Sequence, residues 1–184
     1  MLIRKAFPDD AQIIKNLVNE MYGIEYEKRK CDEIAKRIEE NAEIYILALL
    51  ENEIVGFAGA TVNYEEYKSR YGYGTVIDYV YVKDLFRGLF VAYHIMKNLL
   101  NEIISLGINS AIMQVQTFNK QRYLHYALSD KNIISTTICE SRGQIYEDQI
   151  LLIADLKEAV RISIKEIVRR IAFFQRCEEK KDLN

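Results

Sequence analysis

No apolar run in this chain approaches membrane-spanning length, and its opening, MLIRKAFPDD, is charged where a secretory leader would carry its apolar stretch. Those two absences lead to the expectation of a soluble, cytoplasmic protein with no membrane association. A basic balance is lacking too: 25 Lys and Arg stand against 27 Asp and Glu, for a formal net charge of -2. With a pI near 5.8, the composition argues against a general nucleic-acid binder. Cysteine is scarce and odd in number. Cys31, Cys139 and Cys177 show no CxxC spacing, so they read as reduced thiols, neither a disulfide frame nor a zinc site. His94 and His125 each lack a second ligand at metal spacing, so no metal is expected. Internal repeats and low-complexity segments are also missing.

What is present fits one domain: 184 residues, 49% of them hydrophobic, can bury one sizeable core without requiring two. The chain is organised around Thr75 to Leu106. Thr75 to Val82 is rich in β-branched and aromatic residues and reads as a strand. A short turn, Lys83 to Phe86, follows. From Arg87 a helix is expected, with Ala92, Ile95, Met96, Leu99, Ile103 and Leu106 on one face and Gly107 as an αL terminator. Such a junction aims the free N–H groups and positive dipole end of a helix at whatever lies above Arg87 and Gly88, which suits a phosphate.

Before this segment, Leu2 to Ala6 predicts a strand that Pro8 punctuates. A helix with Ile13, Ile14, Leu17, Val18 and Met21 in one stripe ends at Gly23, and a second, roughly Glu27 to Glu40, shows Cys31, Ile34, Ala35 and Ile38 on one face. Glu43 to Leu50 and Ile54 to Asn63 read as a hairpin through Glu51-Asn52-Glu53, with Gly56-Phe57-Ala58-Gly59-Ala60 implying close approach to one sheet face. Tyr64 to Gly74 is expected as a polar loop whose tyrosines either line a site or pack on the surface. Ser110 to Gln116 alternates as a strand, Phe118 opens a short helix, and Ile133 to Ser141 and Glu147 to Ala154 form a last hairpin. The residues alone thus give an α+β domain with a mostly antiparallel sheet. Leu156 to Arg176 adds an amphipathic helix, either packed on the domain or paired in a homodimer. The division expected is a domain over 1–155, a helix over 156–178 and a tail over 179–184.

Arg87-Gly88-Leu89-Phe90-Val91-Ala92, between the fourth strand and its helix, resembles the acyl-CoA-binding signature R/Q-x-x-G-x-G/A of the GNAT superfamily of N-acetyltransferases. Arg87 and Ala92 fit, and Phe90 occupies the glycine position. Asn119 and Tyr126 match a second family motif, Asn after the fifth strand and Tyr seven residues on, although Arg122 stands where alanine is usual. The resemblance covers roughly residues 2 to 155 and implies a GNAT-like mixed sheet flanked by helices, with acetyl-CoA as co-substrate. It further implies cofactor contacts from Tyr81, Val82, Arg87, Gly88, Leu89, Phe90, Val91, Ala92 and Asn119. A backbone N–H near Tyr81 or Val82, beside a bulge, would stabilise the oxyanion, and Tyr126 would protonate the departing thiolate. Acceptors in the family lie between the first two helices and the last hairpin, where this chain supplies Tyr22, Glu25 and Tyr26, with Glu27 beside them.

A lysine-like amine, with a pKa of about 10.4, must lose a proton before it can attack a thioester. The resemblance implies an acid on the fourth strand as the base, and Asp78, four residues before Val82, stands there; with an ordinary pKa of about 3.9 it needs burial to serve. It could equally be an Asp in a structural hydrogen bond, and Tyr126 a packed aromatic. Acidic and aromatic groups near Tyr22 suit a cationic acceptor without separating a small amine from a protein N-terminus or lysine. Two function classes follow, an N-acetyltransferase acting on a primary amine and a non-catalytic acyl-CoA-binding or assembly module with the same fold.

Overall fold

In the computed structural model, residues 1–87, 90–116, 133–141 and 144–161 are described, with side chains for 1–87, 90–115 and 150–161. The elements are β1 (Leu2–Lys5), α1 (Ala11–Tyr22), α2 (Cys31–Glu39), β2 (Glu43–Leu50), β3 (Glu53–Thr61), α3 (Glu65–Tyr71), β4 (Val76–Val82), α4 (Val91–Ser105), β5 (Ala111–Gln116), β6 (Ile133–Ser141) and β7 (Gln144–Ile153). The seven strands form one sheet in the order β1-β2-β3-β4-β5-β7-β6. Every neighbouring pair is antiparallel except β4 and β5. The mixed, mostly antiparallel α+β architecture expected from the hairpins is therefore present.

Two layers cover the sheet. α4 places Ile95, Met96, Leu99 and Ile103 against one face, with Ile44, Ile46 and Ala58 from the strands. α1 and α2 cover the other face: Ile14, Leu17, Val18, Ile34 and Ile38 pack on Leu47 and Phe57. The stripe of α4 is rotated slightly from the expected one, because the helix starts at Val91. Val91 and Leu100 are buried, Ala92 is exposed, and Leu106 lies half outside. Gly23 and Gly107 end α1 and α4 with φ of 67° and 80°, as their αL positions require.

Three local expectations need correction. α2 begins at Cys31 rather than near Glu27, because Tyr26 and Glu27 donate their N–H groups to Asn19 Oδ1 at 2.9 and 2.8 Å and stay extended. The tyrosine-rich loop contains α3. Glu65 and Glu66 in its first turn and Lys68 and Arg70 in its last match the helix dipole, and Tyr67 and Tyr71, one turn apart, pack together at 5.5 Å. Before α4 the chain makes a 3-10 turn, Asp84–Phe86, and Arg87 is extended. Phe90, not a residue near Arg87, is the helix N-cap.

The hairpin between β2 and β3 turns through Glu51 and Asn52, both with positive φ, 48° and 69°, which matches the twist of a two-residue hairpin turn. The close approach foreseen at the small residues of β3 comes from the chain's own rings and backbone. A Cβ on Gly59 would lie 2.7 Å from the Tyr45 ring, and one on Gly56 would lie 2.8 Å from the Tyr81 carbonyl. Residues 156–161 begin a helix in which Leu156 and Ala159 are buried in the α4-side core. That first turn therefore packs on the parent domain. The remainder of the expected C-terminal helix and tail, and the proposed dimer surface on them, lie outside the described residues.

Candidate active site

β4 and β5 pair only at Val76 with Ile112 and Ile77 with Met113. Beyond Ile77 the two strands part, β4 continuing beside β3 to Val82 and β5 beside β7 to Gln116. At the parting point β4 bulges. Gly59 faces Tyr79 and Ala60 faces Ile77, so Asp78 is the extra residue between them. The bulge thus falls at Asp78, earlier than the expected position beside Tyr81 and Val82. A bulge re-aims the side chain it carries, and here it turns a carboxylate toward a cavity.

That cavity has a volume of about 900 Å³ and lies on the α1 and α2 side of the sheet, with Tyr22, Tyr26, Tyr64, Tyr67, Asp78 and Gln114 among its lining residues. Burial pushes the Asp78 carboxyl up to about 6, against the opposing hydrogen bond from Thr61, whose hydroxyl donates to Oδ2 at 2.7 Å. No salt bridge reaches Asp78 among the described residues. A carboxylate at that value is mostly ionised at neutral pH and takes a proton far more readily than an ordinary aspartate.

A second charged group lines the cavity beside Thr61, whose cross-strand neighbour is Glu43. Glu43, buried at the start of β2, accepts from Arg29, from Arg37 Nε at 2.7 Å and from the Tyr45 hydroxyl at 2.9 Å. Arg29 also donates to Glu27 at 2.6 and 2.9 Å, and those bonds hold the Glu27 carboxyl below its usual range. Two guanidinium groups and two carboxylates therefore neutralise one another. These residues were not foreseen, except that Glu27 was placed near the acceptor. Their pairing joins α2, the segment before it and β2, so no local spacing announces it.

The other expected site residues fall in several places. Tyr22 and Tyr26 stack at 3.9 Å between ring centroids and line the cavity. Glu25 is exposed and is not part of that lining. Tyr81 points to the α1 face, where its hydroxyl donates to Glu20 at 3.1 Å, whereas Val82 is buried against α4. Arg87 pairs with Asp84 at 2.7 Å and donates Nε to the Val82 carbonyl at 3.2 Å, tying the turn to the end of β4. Val91 and Ala92 open α4, whose first N–H groups have no partner within the helix. Gly88, Leu89, Asn119 and Tyr126 lie outside the described residues. Phe90 has φ 59° and ψ 14°, whereas helical residues ordinarily have a negative φ. Glycine in the corresponding signature position would accept that conformation without a Cβ clash.

The sequence from residue 11 to residue 127 matches the model of the acetyltransferase (GNAT) family. The chain belongs to the GNAT family. Solved structures agree at the level of the fold. yncA of Salmonella typhimurium, with its cofactor acetyl-CoA, superposes with a TM-score of 0.62 at 15% identity, over 83% of this chain and 92% of that one. A ribosomal-protein-alanine N-acetyltransferase from Brucella melitensis gives 0.57 at 15% identity, over 83% and 98%. An aminoglycoside 6'-N-acetyltransferase complexed with coenzyme A gives 0.56 at 17% identity, over 83% and 96%. No curated protein matches the sequence. Among the described residues, this GNAT chain has no group of three or more His, Cys, Asp or Glu able to hold a metal ion, and no helix long and apolar enough to cross a membrane.

Proposed function

We propose that the protein transfers the acetyl group of acetyl-CoA to the nitrogen of a primary amine, with Asp78 as the proton acceptor. The observation that carries this reading is the coincidence of three features at one residue: the β4 bulge, the parting of β4 from β5, and a carboxylate raised to about 6 facing a cavity. Family membership supplies the acetyl-transfer class, and relatives solved with acetyl-CoA and coenzyme A support the choice of co-substrate. The donor fits the chain at two places. The gap between β4 and β5 leaves the N–H groups of alternate β4 residues, those on the side away from β3 in the stretch up to Val82, without a strand partner, and the start of α4 offers N–H groups to a phosphate.

Asp78 takes one proton from the ammonium form of the acceptor. Raising its pKa from 3.8 to about 6 brings donor and acceptor about 3 kcal/mol closer in proton affinity. The freed lone pair attacks the thioester carbon, and a β4 N–H stabilises the charge that develops on its oxygen. As the C–N bond forms, the C–S bond breaks. Tyr126 protonates the departing thiolate and is replenished by the second proton leaving the nitrogen, so the products are the amide and the free thiol. We place this chemistry in the cytoplasm, a reading supported by an odd number of cysteines without CxxC spacing and by the free thiol of Cys31.

Thiol release from acetyl-CoA in the presence of an amine panel tests the reading. Amine-dependent release that Asp78→Asn abolishes supports it. Calorimetric binding of coenzyme A with no amine-dependent release from any acceptor would leave a binding module in its place.

A further inference from the structure

The cavity above Asp78 has two aromatic walls of separate origin. Tyr22 and Tyr26 close it at the end of α1, and Tyr64 and Tyr67, stacked at 5.1 Å, close it from α3. Tyr22, Tyr64, Tyr67 and Tyr79 all sense the Asp78 charge, and burial foremost, with that charge, pushes every one of these phenols upward. They therefore stay neutral and present π-faces and hydroxyl dipoles around one carboxylate. The wall cations Arg29 and Arg37 are already matched by Glu27 and Glu43. Glu40 also lines the cavity but is exposed and pairs with Lys36 at 3.8 Å, so among the described residues Asp78 is left as the cavity's half-buried carboxylate that no salt bridge balances. A carboxylate framed by aromatic faces favours an alkylammonium, through charge and through cation–π attraction.

Resting on the acetyl-transfer reading, we infer that the acceptor is a small, free primary amine with one cationic centre and a flat apolar body, an arylalkylamine, held between the two tyrosine pairs. A polypeptide acceptor fits less well. Its own main-chain amides need partners, which recognition usually supplies at a sheet edge. Here the edges are β1 and β6, whereas the cavity floor comes from the interior strands β3, β4 and β5. α3 also closes the side toward β7, because Tyr67, Tyr71 and Tyr73 pack on Val76, Ile112 and Ile150. A volume of about 900 Å³ lies within the range of about 300–1,000 Å³ usual for small-molecule sites. One unbalanced acid matches one cation, which favours a monoamine over a diamine.

The test compares 2-phenylethylamine, 1,4-diaminobutane and a pentapeptide carrying a free N-terminus and one lysine, each with acetyl-CoA. The expected result is a kcat/KM for phenylethylamine at least about ten-fold above the other two, the size of effect that burying its aryl ring against the tyrosines supplies, since all three acceptors carry the ammonium. Tyr26 and Tyr64 are partly exposed, so Tyr26→Ala and Tyr64→Ala should fold. Each should raise the phenylethylamine KM by about five- to ten-fold and leave the acetyl-CoA KM unchanged, while Tyr64→Phe retains the wild-type KM. Preference for the diamine or the peptide, or an unchanged KM in both alanine variants, overturns this inference and leaves acetyl transfer standing. Absence of turnover with all three acceptors, with coenzyme A still bound, overturns the transfer reading and this inference together.

Discussion

Thr61 donates its hydroxyl to Asp78 Oδ2 at 2.7 Å from the end of the neighbouring strand. The bond lowers the Asp78 pKa while burial raises it, and burial wins. Thr61→Val keeps the shape and removes the donor. A hydrogen bond to a charged group is worth about 1.5–3 kcal/mol, so the Asp78 pKa should rise by about one to two units. Because Asp78 must be ionised to accept a proton, the acid limb of the kcat/KM profile should move from near pH 6 toward pH 7 to 8, an estimate that follows from that same bond. A limb that stays in place would remove Asp78 from the titration.

Asp78→Asn should lower kcat by about 10²- to 10⁴-fold at neutral pH with little change in acetyl-CoA affinity. It should also stabilise the fold. A carboxyl whose folded pKa is raised from 3.8 to about 6 is penalised when ionised, so wild-type Asp78 costs about 3 kcal/mol above pH 6. That cost fades as pH falls from the folded value toward the unfolded one. Denaturant melts should therefore show Asp78→Asn more stable than wild type at pH 8, with the gap closing by about pH 4. A gap that widens on acidification would contradict the burial of an ionised group here.

Most of this architecture was legible because it is periodic or punctuated. The hairpin turn at Glu51-Asn52, the αL ends at Gly23 and Gly107, and the stripe through Ile95, Met96, Leu99 and Ile103 are all local signals. Asp78 was legible as a site residue only through the family resemblance. Its bulge was misplaced because a bulge is set by two registers, Gly59 against Tyr79 and Ala60 against Ile77, and register is not written in either strand alone. α3 was missed because the segment that contains it, Tyr64 to Gly74, has four tyrosines and two glycines and reads as turn and surface. Its helix is fixed by charges at its two ends and by Tyr67 and Tyr71 meeting Val76 and Ile112 from distant strands. The Glu27-Arg29-Glu43-Arg37 group escaped for the same reason.

Glu43 holds that group together. Glu43→Gln keeps the volume but leaves Arg29 and Arg37 facing a neutral amide in a wall where the side chain of residue 43 is only 5% exposed. Breaking a buried pair from one side typically costs about 3–5 kcal/mol. Arg29 is about a third exposed, so the loss should sit nearer the lower end, about 2–3 kcal/mol in urea unfolding. The KM for a cationic acceptor should rise as well, because the two guanidinium charges that line the cavity are then less fully neutralised and repel it. A variant as stable as wild type would mean that the four charges contribute no net stability.

The strained residue at the start of α4 yields the last test. Phe90 carries φ 59°, a conformation that places Cβ against the backbone at a cost of about 1–2 kcal/mol. Glycine removes that cost and loses about 0.5–1 kcal/mol through the freer unfolded chain. Phe90→Gly should therefore gain about 0.5–1 kcal/mol, or about 1–4 °C in melting temperature for a chain of this size. Phe90→Ala separates the ring from the Cβ: the ring is 38% exposed and contributes modest packing, so alanine keeps the strain and should not stabilise. Absence of the Cβ also lets an anionic group come closer to the first N–H groups of α4. Coenzyme A, titrated by calorimetry, should bind Phe90→Gly about two- to five-fold more tightly, the change in Kd that a closer phosphate contact of about 0.5–1 kcal/mol gives; the relieved strain is common to free and bound protein and does not enter Kd. Equal affinity in the glycine and alanine variants would mean that the Phe90 backbone does not meet the ligand, and a less stable glycine variant would show that the positive φ is held without strain.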